Sequence, residues 1–143
     1  MVGAAEGGQV EAVAAEHGLA VLLEACDQAV EQIGSAVPPA QLRALLIINE
    51  AGSVNLNTLA KALDSTASAT SRLADRMQLA GLLTRDRAAA SRREIVLLPT
   101  ESGRQLADVV RAQRRSALIQ LLASMSPRAR DALVAGLAEL GMR

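Results

Sequence analysis

Apolar residues recur at helical spacing through residues 9–34, at Val10, Val13, Leu19, Leu22, Leu23, Cys26, Val30 and Ile33, and the run closes on Gly34. That period predicts one long helix with a glycine stop. Pro38 and Pro39 open a second helical run, PPAQLRALLIINEAG, which Gly52 ends. SVN follows as a short extended piece, and Asn55 is placed to cap LNTLAKALD. Beyond Asp64 and Ser65, Thr66 caps a further helix, TASATSRLADRMQLAG, closed by Gly81. The period then changes. LLTRDR and EIVLLP read as two short strands joined by AAASRR, a β-hairpin in which Pro99, unable to donate to a ladder, belongs at a strand end. Thr100 caps the long amphipathic run ESGRQLADVVRAQRRSALIQLLASM, and Ser126 with Pro127 opens a last helix, SPRARDALVAGLAEL.

The order helix, helix, short helix, tight turn, helix, hairpin is that of a winged helix-turn-helix, flanked on both sides by long helices. The fold class expected is therefore mainly α (α+β), with segments at 1–37, 38–100 and 101–143. In the central pair, Leu59 and Leu63 are expected to pack on Leu73 and Met77, which turns Thr66, Ala67, Ser68, Ser71 and Arg72 outward. Small hydroxyl side chains let a helix sink into a major groove, and an arginine reaches a guanine or a phosphate. At the hairpin, SRREIVLLPT places Arg92 and Arg93 side by side before an apolar run. They are either a solvated turn or cations held toward a polyanion. Arg85 and Arg87 read equally as phosphate neighbours or as solvated.

Composition narrows this picture. Half of the 143 residues are hydrophobic, enough for a core, yet Phe, Tyr and Trp are absent. Base stacking on single strands thus loses its usual platform. Net charge is zero but unevenly spread: residues 1–37 hold six acids and no Lys or Arg, whereas 38–100 hold eight bases against five acids and 101–143 seven against four. The first and last segments are expected to pair, with Arg111, Arg114 and Arg115 as partners for first-helix acids, or alternatively set on a DNA backbone. The single histidine, His17, and single cysteine, Cys26, assemble neither a metal-ligand cluster nor a nucleophilic triad, and no G-x-S-x-G or Gly-rich phosphate loop occurs. No enzyme, cofactor or metal is implied. Cys26 lies on an apolar stripe and reads as core. The lone cysteine, the absence of a ~20-residue apolar span and an N-terminus without basic residues lead us to expect a cytoplasmic protein with no membrane partner.

Residues 38–103 resemble the MarR family (multiple antibiotic resistance regulators). The resemblance is carried by NLNTLAKALDSTASATSRLADRMQLAGLLTR, with its S-R-L-x-D-R-M core and G-L-L exit. SRREIVLLPTESG is similar to the family's wing pattern D-R-R-x-x-x-x-x-L-T-x-x-G. It implies homodimers whose first and last helices interlock, two winged modules on a palindromic operator in double-stranded DNA, and transcriptional regulation, chiefly repression. It implies that Arg93, with Arg92, enters the minor groove from the wing tip, where narrow AT-rich grooves attract a cation. The DNA-contacting set expected is Thr66, Ala67, Ser68, Ser71, Arg72, Arg87, Arg92 and Arg93. It also implies a small-molecule inducer, often phenolic, between dimer helices and winged module; with no aromatic in the chain such a pocket would be aliphatic. Two departures stand out. Ser91 replaces the aspartate that orients the wing arginine, with Asp86 or Glu94 as substitutes, and Pro99 replaces a leucine at the strand end. The missing aspartate and the weak positive charge of the centre support a competing reading, a winged protein-interaction dimer that has lost DNA binding.

Overall fold

The computed structural model describes residues 2–33 and 36–142, with side chains except those of residues 2–6 and Arg92. In chain order the elements are α1 (Val2–Glu31), α2 (Pro39–Ala51), β1 (Val54–Asn55), α3 (Leu56–Ala62), α4 (Ala67–Leu79), β2 (Leu83–Ala88), β3 (Ser91–Pro99), α5 (Glu101–Ala123) and α6 (Pro127–Gly141). This is a mainly helical winged helix-turn-helix with long flanking helices. Helix α1 begins earlier than its apolar period, because nothing in Val2–Gly8 forbids a helix even though no stripe marks one. It ends at Glu31, and the expected stop at Gly34 lies outside the described residues.

The caps are those the sequence announces. Asn55 Oδ1 accepts from Thr58 N at 2.8 Å, Thr66 Oγ1 from Ala69 N at 3.1 Å and Ser126 Oγ from Ala129 N at 3.3 Å. Between α3 and α4 the chain turns through Asp64, at φ 50°, a left-handed conformation that aspartate tolerates better than most residues. Ser65 N closes the turn on Ala60 O at 2.9 Å.

The chain divides into two compact units, residues 1–34 with 112–143 and residues 35–111. The second unit holds an all-aliphatic core of Leu45, Ile48, Leu59, Met77, Leu83 and Leu97, with Ala44, Ala74 and Ala107 fully buried among them. Without aromatics, those alanines let the helices approach closely enough to fill the interior. Leu63 sits at the edge of this core and Leu73 within it. Its sheet has the order β1-β3-β2, so the extended piece before α3 becomes a third antiparallel strand, Val54 opposite Leu97 and Asn55 opposite Val96. Pro99, opposite Leu83, ends β3.

Helix α5 is tied down where it starts. Thr100 N donates to Leu82 O at 3.1 Å, the Thr100 hydroxyl donates to Gly81 O, and the same oxygen accepts from Gly103 N at 3.1 Å. Gly81 reaches this knot at φ 73°. A Cβ on Gly103 would collide with the Leu82 carbonyl, so T-x-x-G here serves backbone-to-backbone contact.

In the first unit, Ala29 is the only buried hydrophobic among the described residues. Val10, Val13, Leu19, Leu23, Ile119, Val134, Leu137 and Leu140 are each 45–71% exposed. Residues of the first and last segments line one cleft, but among the described residues no ion pair joins the acids of α1 to Arg111, Arg114 or Arg115. Ion pairs among the described residues are Arg85–Asp75, Arg104–Glu101 and Arg130–Asp131, and the Nε of Arg114 is buried without a hydrogen-bond partner. Cys26 is half-buried and His17 exposed. Among the described residues no group of three or more His, Cys, Asp or Glu is placed to hold a metal ion, and no helix is long and apolar enough to cross a membrane.

Candidate functional site

Helix α4 divides cleanly. Thr70, Leu73, Ala74 and Met77 are buried, while Thr66, Ala67, Ser68, Arg72 and Arg76 are exposed. From Thr66 to Ala74 the helix carries no acid. Thr66 accepts a cap bond with its oxygen and keeps its hydroxyl hydrogen for an outside acceptor. Ser71 is half-buried instead and lines a hollow with Leu56, Asp75, Arg85, Ile95 and Leu97. One cation was not singled out from the sequence. Lys61, in the last turn of α3, shares a surface hollow with Asp64, Ser65 and Thr66 and stands beside the start of α4. Its signal was only its position three residues before the turn.

The hairpin differs from the sequence expectation in an instructive way. The strands run further toward the tip, leaving Ala89 and Ala90 as the turn, so Arg92 and Arg93 belong to β3 itself. Arg87 pairs with Ile95 but Ala88 pairs with Ser91, which leaves residues 92–94 without partners in β2. They form a bulge, the device by which a strand re-aims side chains away from its pleat. Arg93 is exposed on this bulge, and its amide donates to Ser91 Oγ at 3.4 Å. The side chain of Arg92 lies outside the described residues. Neither proposed substitute for the missing aspartate turns to Arg93: Asp86 Oδ1 accepts from Arg87 N at 2.7 Å, and Glu94 Oε1 accepts from Asn55 Nδ2 at 2.6 Å. Arg87 is exposed on β2.

Arg85, left between two roles by the sequence, has a partner. Its Nη2 donates to Asp75 Oδ1 at 2.6 Å and its Nη1 to Gln78 Oε1 at 3.2 Å, bracing β2 against α4. The pairing also neutralises the one acid in the middle of α4. With the two side chains 33% and 55% exposed, solvent screens the pair. A double-mutant cycle of Arg85→Ala and Asp75→Ala in urea is expected to give a coupling of about 0.5 kcal/mol, and a value above ~1.5 kcal/mol would contradict a screened brace.

In the other unit, α1 and α5 line a cleft of about 410 Å³ with Gln28, Gln32, Gln113, Gln120, Ser116 and Ser124. Its walls carry these amides and hydroxyls together with the apolar Ala25, Ala29, Ala117 and Leu121.

Comparison with known proteins places this geometry. The model of the MarR family matches residues 37–95. The crystal structure of RV1404 from Mycobacterium tuberculosis is similar with a TM-score of 0.78 and 30% identity, over 90% of this chain and 88% of that chain. A MarR family protein from Bacillus stearothermophilus superposes with a TM-score of 0.75 at 24% identity, over 89% of this chain and 90% of that one. FabT from Streptococcus pneumoniae, in complex with DNA, does so at 0.72 and 18% identity, over 94% of each chain. No curated protein matches the sequence.

Proposed function

This chain belongs to the MarR family of winged-helix transcriptional regulators, and from that premise we propose that it is a homodimeric repressor binding a palindromic operator in double-stranded DNA and released by a small ligand. The observation that carries DNA binding is the outward side of α4: small, hydroxyl-bearing, free of acids over Thr66–Ala74, and ending in exposed Arg72. Thr66, Ala67, Ser68 and Ser71 let the helix approach the groove, Arg72 reads a base edge or a phosphate, and Arg93 with Arg92 enters the adjacent minor groove. Arg87 and Lys61 add phosphate contacts. The DNA complex of FabT, whose fold is shared, supports the same reading.

Dimerisation is supported by the exposed apolar residues of α1, α5 and α6. Val134, Leu137 and Leu140 follow one another at three-residue spacing, and a lone chain would leave them in water. A two-fold pair of such chains matches a palindrome. For the ligand, the amide-lined cleft between α1 and α5 favours a hydrogen-bonding molecule over a purely aliphatic one.

The test is a gel shift on the chain's own upstream intergenic duplex against a scrambled duplex at two salt concentrations, with mass by light scattering. We expect a dimer that prefers the upstream duplex and loses roughly 10³-fold in affinity between 50 and 200 mM salt, as about six phosphate contacts require. Absence of binding to any duplex at low salt would overturn DNA binding in favour of a protein-interaction dimer.

A further inference from the structure

Asn55 uses both ends of its amide. Its Oδ1 caps α3 by accepting from Thr58 N at 2.8 Å, and its Nδ2 donates to Glu94 Oε1 at 2.6 Å. The register explains the second bond: Asn55 stands opposite Val96, so Glu94, two residues further along β3, is its diagonal neighbour on the same face. Glu94 is also the last residue of the bulge 92–94, which pairs with neither β2 nor β1. A three-residue segment without a register partner in either neighbouring strand has backbone freedom to lose when it is fixed on a ligand. One side-chain bond near its inner end removes part of that freedom beforehand. It also draws the Glu94 carboxylate toward α3, where an amide hydrogen meets it.

We infer that Asn55 is the positioning residue of the hairpin arginine: by capping α3 and holding Glu94 it references the Arg93 bulge to the helix-turn-helix. It takes over, from across the sheet, the orienting work for which Ser91 at the usual aspartate position is poorly suited, since Ser91 reaches only the Arg93 amide at 3.4 Å. The inference rests on the DNA-binding reading above. It extends that reading to a residue outside the surface that meets DNA.

The chemistry offers a separation of the two roles. Aspartate caps a helix as well as asparagine but has no N–H to donate, so Asn55→Asp keeps the cap and sets a carboxylate against Glu94. Adding Glu94→Gln restores a donor, now from the other side, and returns the net charge to that of the parent. The probe is a duplex enriched by the parent protein from a random-sequence pool, and the readouts are affinity, hydroxyl-radical footprint and melting without DNA. Asn55→Asp is expected to melt like the parent, to bind roughly tenfold more weakly and to lose protection where the hairpin meets the flanking minor groove, while protection under α4 persists. The double variant is expected to recover both affinity and flank protection. A parental footprint in Asn55→Asp, or a double variant as weak as the single one, would overturn the inference. Should Asn55→Asp melt early, the double variant still decides, because it carries the same cap. A parent that enriches no duplex overturns the DNA-binding reading itself, and the inference with it.

Discussion

Gly103→Ala is expected to destabilise the protein by about 3 kcal/mol, the upper range for inserting a methyl into packed structure. The added Cβ would meet the carbonyl oxygen and carbon of Leu82 and lie 3.2 Å from Leu45 Cδ1. A side chain could swing aside, but this carbonyl is held by Thr100 N at 3.1 Å, and the residue before it by the Thr100 hydroxyl. Relief therefore requires α5 to back away from the core in which its Ala107 is fully buried. Urea unfolding at fixed protein concentration measures the loss. The same change at Gly136 in α6, where the new methyl would have nothing within 4 Å of it, is expected to stabilise by up to about 1 kcal/mol through helix propensity. Equal effects at the two sites would refute the packing argument at Gly103.

On the DNA-binding proposal, Arg72→Ala is expected to weaken binding roughly 10- to 100-fold and to relax preference at one base pair of each half-site, if Arg72 takes a guanine edge. Should it hold a phosphate, affinity falls evenly over all sequences and the salt slope drops by about one per half-site. Competition with single-base variants of the enriched duplex separates these. Arg93→Ala should act differently, lowering affinity most where the flank is AT-rich, because a narrow minor groove concentrates the potential that draws the guanidinium. An Arg93→Ala protein with parental affinity and parental flank preference would remove the hairpin from the interface. Arg93→Lys is a sharper control, since a more strongly hydrated ammonium replaces the guanidinium less well in a narrow groove.

The apolar period of α2 to α4, the glycine stops at Gly52 and Gly81, and the caps at Asn55, Thr66, Thr100 and Ser126 were all legible in the chain itself. Each is a local event, decided by residues within a turn or two of one another. The fold class followed from their order. So did the candidate surface of α4, because a helix with one aliphatic stripe has only one face left to present. Propensity did not reveal the first seven residues of α1, Val2–Gly8, where no stripe exists to be read. Nor could the chain show that, among the described residues, no ion pair joins α1 to the last segment, since that depends on where the helices carry their charges in space.

The tertiary structure decided the rest. Two adjacent arginines before an apolar run look like a turn, yet cross-strand register places them on a bulge inside β3, and register is a property of two strands together. Arg85 was ambiguous until α4 brought Asp75 and Gln78 to it from 10 and 7 residues away. Asn55 read as a cap and nothing more, because its second partner, Glu94, is 39 residues distant and becomes a neighbour only when β1 pairs with β3. Gly103 was one letter of a pattern until the backbone of Leu82 was found against it. Helices, caps and stops are written in short-range chemistry, whereas the orientation of the hairpin relative to α4 is set by contacts that exist only after the chain has closed on itself.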